Sequence, residues 1–120
     1  MANALVTGAS RGFGLAVART LSDRRWRLLI DARGESALAR AAEELGRYGD
    51  ATAIAGDVAD PAHRSRLADV VRTWGSLDVL INNASALGPS PQPELASYPL
   101  DVLESVFRVN TFAPLMLIQE

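Results

Sequence analysis

Ala4-Leu5-Val6-Thr7-Gly8-Ala9-Ser10-Arg11-Gly12-Phe13-Gly14, near the N-terminus, decides the fold. The apolar run Ala4–Thr7 stops at a glycine and reads as a strand. From Phe13 to Ser22, Leu15, Ala18 and Leu21 recur at helical spacing, so that stretch reads as a helix. Between them the glycines are spaced G-x3-G-x-G. Gly8 permits a sharp exit from the strand, Gly12 lets a ligand approach the backbone, and Gly14 lets the helix pack closely on the sheet. A helix that starts here points free N–H groups and a partial positive charge at whatever sits on the turn. The ligand this arrangement suits is a pyrophosphate. A glycine turn without a ligand is the plainer reading, and the surrounding pattern has to decide.

That pattern alternates. Arg27–Ile30 reads as a second strand, and Ser36–Leu45 as a helix of alanine, leucine and glutamate stopped by Gly46. Ala51–Ala55 is a weak third strand ended by Gly56. Asp60-Pro61 opens a helix carrying Leu67, Val70, Val71 and Trp74, with aspartate as the cap and proline at the first helical position. Leu77–Ile81 is a fourth strand. Residues 85–97 hold three of the six prolines and read as a loop. A last helical stretch runs from about Leu100 to Glu120, with Pro114 a kink or boundary. Short apolar strands alternating with helices predict an α/β protein with a parallel, doubly wound sheet of the Rossmann type, here about four strands. Residues 1–120 are expected to form its dinucleotide-binding part.

Composition narrows the chemistry. The 120 residues contain 12 basic and 14 acidic side chains, one histidine and no cysteine. Every basic residue is an arginine. Thiolate zinc sites, cysteine nucleophiles and disulfides are excluded within the chain, as is lysine chemistry. A net charge of -2 argues against nucleic acid as a partner. No run approaches the roughly 20 apolar residues of a membrane helix, and the N-terminus lacks the basic region of a signal peptide. The expected compartment is the cytoplasm. One histidine without a ligand cluster offers no metal site.

The glycine turn, Asp57-Val58 after strand three, Asn82-Asn83-Ala84 after strand four and Val109-Asn110 in the last helix stand in a definite order, each cofactor element at a strand end. In this the chain resembles the classical short-chain dehydrogenase/reductase family, over essentially its whole length. Thr7–Gly14 is similar to the family's T-G-x3-G-x-G loop, and Asn82-Asn83-Ala84 to its N-N-A-G element, with Ser85 in place of the last glycine. The resemblance implies an oxidoreductase that moves hydride between a nicotinamide cofactor and a small carbonyl or alcohol substrate. It implies cofactor contacts from Gly8, Ser10, Arg11, Gly12, Phe13, Gly14, Arg33, Asp57, Val58, Asn83 and Ala84, with Asp57 at the adenine. It implies that Asn110 serves catalysis by holding a water that links the catalytic lysine to solvent. The plainer roles are a turn cap for Asp57 and a buried hydrogen-bonding role for Asn110. Of the two adjacent asparagines, Asn82 is the one expected to lock the sheet.

The family's catalytic serine and Tyr-x-x-x-Lys pair have no counterpart here: Tyr48 and Tyr98 are followed four residues on by Thr52 and Val102. The resemblance therefore implies the N-terminal half of a larger, homo-oligomeric enzyme. The alternative is a module that binds or senses NADP(H) without turnover. The choice between NAD and NADP rests on the end of strand two. Asp31, 17 residues after Gly14, could accept the ribose 2′-hydroxyl of NAD. By resemblance, NAD-type members carry the acid directly before the arginine, where this chain has Ala32. Ala32-Arg33 together with Arg11 fits the 2′-phosphate of NADP, which a planar guanidinium matches. NADP is the expected cofactor, NAD the alternative. His63, in the first turn of its helix, is expected to be exposed. Arg24, Arg25 and Arg27 read as a solvated cluster, and Trp26 and Trp74 as packing.

Overall fold

A computed structural model describes residues 1–120. Its four strands are β1 (Asn3–Val6), β2 (Arg27–Ala32), β3 (Asp50–Ala55) and β4 (Val79–Ile81). All pair in parallel, in the order β3-β2-β1-β4. The helices are α1 (Gly12–Asp23), α2 (Glu35–Gly46), α3 (Pro61–Trp74), α4 (Leu100–Phe107) and α5 (Ala113–Gln119). The expected Rossmann-type sheet is present.

Alternation along the strands explains the two layers. Ala4, Val6, Leu28 and Ile30 face one way and pack with Ala18 of α1 and Leu38, Ala41 and Leu45 of α2. Leu5 and Leu29 face the other way, onto Leu67, Val70, Val71 and Trp74 of α3 and Leu117 of α5. Neither face of β1 or β2 meets water, so these two strands read as nearly continuous apolar runs, whereas the edge strand β3 is partly exposed. Full burial of a leucine or isoleucine here contributes about 1.5–3 kcal/mol. β4 forms one edge, with all three residues half-buried. The strand order changes direction at β1, so the crevice at the carboxyl ends of β1 and β4 is where such sheets bind ligands.

Local chemistry sets the helix ends. The Asp60 carboxylate accepts the Ala62 N–H at 3.0 Å, Pro61 follows, and Gly75 closes α3 in the left-handed region. The last helical stretch is not uniform. Between α4 and α5 the chain takes a wider π-turn at Arg108–Phe112, with Asn110 at its centre and Pro114 just beyond. The loop 85–97 contains one short 3-10 turn, Leu95–Ser97.

Three expectations are corrected here. His63 is fully buried, because it shares the inward face of α3 with Leu67. Arg27 is not a solvated loop residue. It begins β2, pairs with Asp50 at 3.5 Å, and lies over the Trp74 ring at 5.3 Å. Asn82 is exposed and does not lock the sheet. Its neighbour Asn83 does.

Candidate functional site

The glycine turn is clasped to the end of β4 by Thr7 and Asn83. The Thr7 hydroxyl accepts the N–H groups of Asn83 at 3.1 Å and Ala84 at 3.0 Å. The Asn83 amide nitrogen donates to the carbonyls of Thr7 at 3.2 Å and Gly8 at 3.1 Å. Two carbonyl acceptors fix which end of that amide is nitrogen. Gly8 and Gly12 both have positive φ, at 65° and 60°. A side chain at Gly8 would also stand 2.9 Å from the Ala84 Cα, whereas the space beside Gly12 is open. Gly14 lies beneath the turn, where a Cβ would meet both Asn83 and the Gly8 carbonyl.

Helix α1 starts on this turn without a side-chain cap and without an acidic residue in its first turn. Its first helical bond runs from Leu15 N–H to the Arg11 carbonyl. The amides of Gly12, Phe13 and Gly14 therefore have no backbone acceptor, which is the arrangement an anion satisfies.

In front of the turn lies a crevice of about 500 Å³. It gathers Gly8, Ser10, Arg11, Gly12, Arg33, Asp57, Val58, Asn83 and Ala84, nine of the residues picked out from the sequence. Phe13 and Gly14 are not part of the lining. The Phe13 side chain is 72% exposed, and only the backbone of these two residues can serve the crevice. Asn110 also lies outside, although its neighbour Val109 reaches the lining. The Asn110 amide is exposed rather than buried, and both of its ends hold the loop: Oδ1 accepts the Ala86 N–H at 2.7 Å and Nδ2 donates to the Ala86 carbonyl at 2.8 Å.

The end of β2 separates two kinds of charge. Asp31 is 1% exposed. Its Oδ1 accepts the Gly8 N–H at 2.8 Å and its Oδ2 meets His63 Nε2 at 2.7 Å. Burial pushes its carboxyl above the ordinary range, against the pull of the His63 and Gly8 hydrogen bonds. Arg11 and Arg33, by contrast, are exposed at the crevice and have no carboxylate partner. Asp57 does cap its own turn, accepting the Ala59 N–H at 2.9 Å, while still facing the crevice.

The sequence reading gave no role at the site to Thr7, Gly56, His63 or Ser85: Gly56 and Ser85 line the crevice, while Thr7 and His63 are buried outside its lining. Position at a strand's carboxyl end was the available signal for Thr7, Gly56 and Ser85. For His63 it was helical phase with Leu67.

An open parallel sheet with an uncapped helix on a glycine turn defines a Rossmann-type nucleotide-binding architecture. The chain belongs to the short-chain dehydrogenase family, whose model matches residues 2–120. It is 41% identical over 112 residues to 1-deoxy-11-beta-hydroxypentalenate dehydrogenase of Streptomyces avermitilis, covering 92% of this chain and 41% of that protein. Among solved structures it is similar to the Pseudomonas aeruginosa RhlG/NADP active-site complex, with TM-score 0.85 and 37% identity over 98% of this chain and 45% of that one. An NAD+-bound xylitol dehydrogenase matches with TM-score 0.87 and 26% identity, again over 98% and 45%. The chain thus spans less than half the length of these relatives.

Proposed function

We propose that the protein carrying this chain is an NADP(H)-dependent oxidoreductase acting between a carbonyl and an alcohol carbon of a small molecule, and that residues 1–120 form its cofactor-binding half. The observation that carries the cofactor choice is the contrast at the end of β2. Both oxygens of Asp31 are held inward, while the Arg33 and Arg11 guanidinium groups stand unpaired at the same crevice. A 2′-phosphate suits two free guanidinium groups, and the Asp31 carboxylate at the end of β2, engaged at both oxygens, is not turned out to accept a 2′-hydroxyl.

The cofactor supplies the hydride chemistry when bound. The chain's residues bind and orient it. The amides of Gly12, Phe13 and Gly14 would hold the pyrophosphate, Gly8 and Ser10 shape the turn, Asp57 and Val58 would meet the adenine, and Asn83 and Ala84 line the crevice beside the turn. Asn110 fixes Ala86, and so anchors the loop 85–97 on the substrate side. We assign it the water-holding role that the resemblance implies. No lysine occurs in the 120 residues, so the proton-relay lysine and its tyrosine come from sequence outside them. We further propose a homo-oligomer in the cytoplasm. No helix here is long and apolar enough to cross a membrane.

Fluorescence titration of the intact protein with NADPH and NADH tests the assignment. NADPH should bind at least about tenfold more tightly, and Arg33→Ala should lose about 10- to 100-fold in NADPH affinity with little effect on NADH, as removal of a charge-assisted phosphate contact predicts. Equal affinity for the two cofactors, unchanged by the substitution, would refute it.

A further inference from the structure

His63 has no part in the reading above, yet it is the most buried ionisable side chain at the site, at 0% exposure. Its Nε2 meets Asp31 Oδ2 at 2.7 Å, and the other oxygen of that carboxylate accepts the Gly8 N–H. The imidazole packs on Gly56, where any Cβ would clash with Nδ1 and the rest of the ring. Nδ1 is buried without a partner. The proton of a neutral ring therefore belongs on Nε2, pointing at Asp31. One side chain thus ties the start of α3 to the ends of β2 and β3 and, through Asp31, to the glycine turn. The alternation of β2 places Asp31 on the same face as Leu29, toward α3, and not on the face of Ile30 and Ala32.

We infer that His63 is a positioning residue that sets cofactor choice: by holding Asp31 Oδ2 it keeps the β2 carboxylate, which borders the crevice yet is 1% exposed, turned toward α3, and leaves the 2′ position to Arg33. This rests on the proposed NADP(H) function. His63 touches no cofactor atom in this account and acts only through Asp31. The fit against Gly56 means that the glycine after β3 makes room for the imidazole.

The test is the ratio of NADPH to NADH affinity, measured by fluorescence titration of the intact protein and its variants, with thermal melting to establish folding. His63→Leu removes the donor. The released carboxylate turns toward the crevice, and the preference for NADPH should fall about tenfold as a repulsive charge meets the 2′-phosphate. The double variant Asp31→Asn, His63→Leu should restore the ratio, because the charge is gone. His63→Gln keeps a donor and should stay near the parent ratio, which a purely steric role for His63 does not predict. Asp31→Asn alone keeps the acceptor for Gly8, so affinities for both cofactors should shift together. A folded His63→Leu protein with an unchanged ratio overturns the inference. Should His63→Leu fail to fold, Asp31→Asn decides: a rise in the ratio means that Asp31 already contacts the ribose, which also overturns it. If the parent protein binds neither cofactor, the proposed function fails first. If it binds NADPH and the ratio ignores these substitutions, only the role of His63 fails.

Discussion

Replacing Asn83 by alanine removes the donor that joins the glycine turn to β4. The structure gives it two hydrogen bonds, to the carbonyls of Thr7 and Gly8, at 3.2 and 3.1 Å. Each such bond contributes roughly 0.5–1.5 kcal/mol net, so the pair is worth about 2 kcal/mol. Asn83 is partly exposed, and water can reach the vacated carbonyls, which keeps the loss from climbing higher. Asn83→Asp is the sharper perturbation. The side chain keeps its shape but aims a carboxylate at two carbonyl oxygens, so it should cost more than alanine despite being the smaller chemical change. Urea unfolding reads both, as a lower midpoint with an unchanged slope. Thr7→Val breaks the other half of the clasp. Combined with Asn83→Ala it should cost less than the sum, since both act on one junction. An Asn83→Asp protein as stable as the parent, or an alanine variant losing less than about 0.5 kcal/mol, would refute the clasp, because that is the scatter of ordinary surface substitutions.

Three further outcomes follow from the same geometry. Gly14→Ala places a methyl group against the Gly8 carbonyl, which is backbone and does not yield, so it should destabilise by about 1–3 kcal/mol and weaken cofactor binding. Asn110→Ala frees both backbone groups of Ala86. Hydrogen exchange at that amide should quicken by about tenfold or more, while amides of β1 and β2 stay protected. Burial raises the Asp31 carboxyl above its ordinary value of 3.8, so the fold favours the protonated acid. That contribution is complete below this value and is lost as pH rises through the elevated one. Melting temperature of the parent minus that of Asp31→Asn should therefore decline from about pH 4 upward. A difference that grows with pH would show that the ionised form is the one stabilised.

Much of this was legible in the residues. Strand and helix order came from apolar spacing together with glycine and proline boundaries; β1 and β2, buried on both faces, carry a nearly unbroken apolar signal, whereas the partly exposed β3 carries a weak one. The glycine turn announced itself because few residues other than glycine tolerate the backbone at Gly8 and Gly12. Boundaries slipped where side chains take over from the ladder. Leu77 and Asp78 read as strand, yet the Asp78 carboxylate accepts the Asn3 N–H at 2.7 Å just ahead of β4. Of two adjacent asparagines, only the one whose amide points back at the turn can clasp it, and a neighbour-level reading does not fix that direction. His63 was misjudged by its place in the first turn of α3. Its phase was the better guide, since residues 63, 67, 70 and 74 share one face, and that face is the core. Asp31 shows how a pleat decides chemistry. One residue further on it would face α1 and α2; where it stands it faces α3 and finds the imidazole.

Hydrogen exchange of the intact protein with and without saturating NADPH tests the central claim most directly. The account predicts slowed exchange at the amides of Gly12–Gly14, joined by residues 33–34 and 57–58 on either side of the crevice. Binding that leaves these amides unprotected, or protects a different surface, would contradict it.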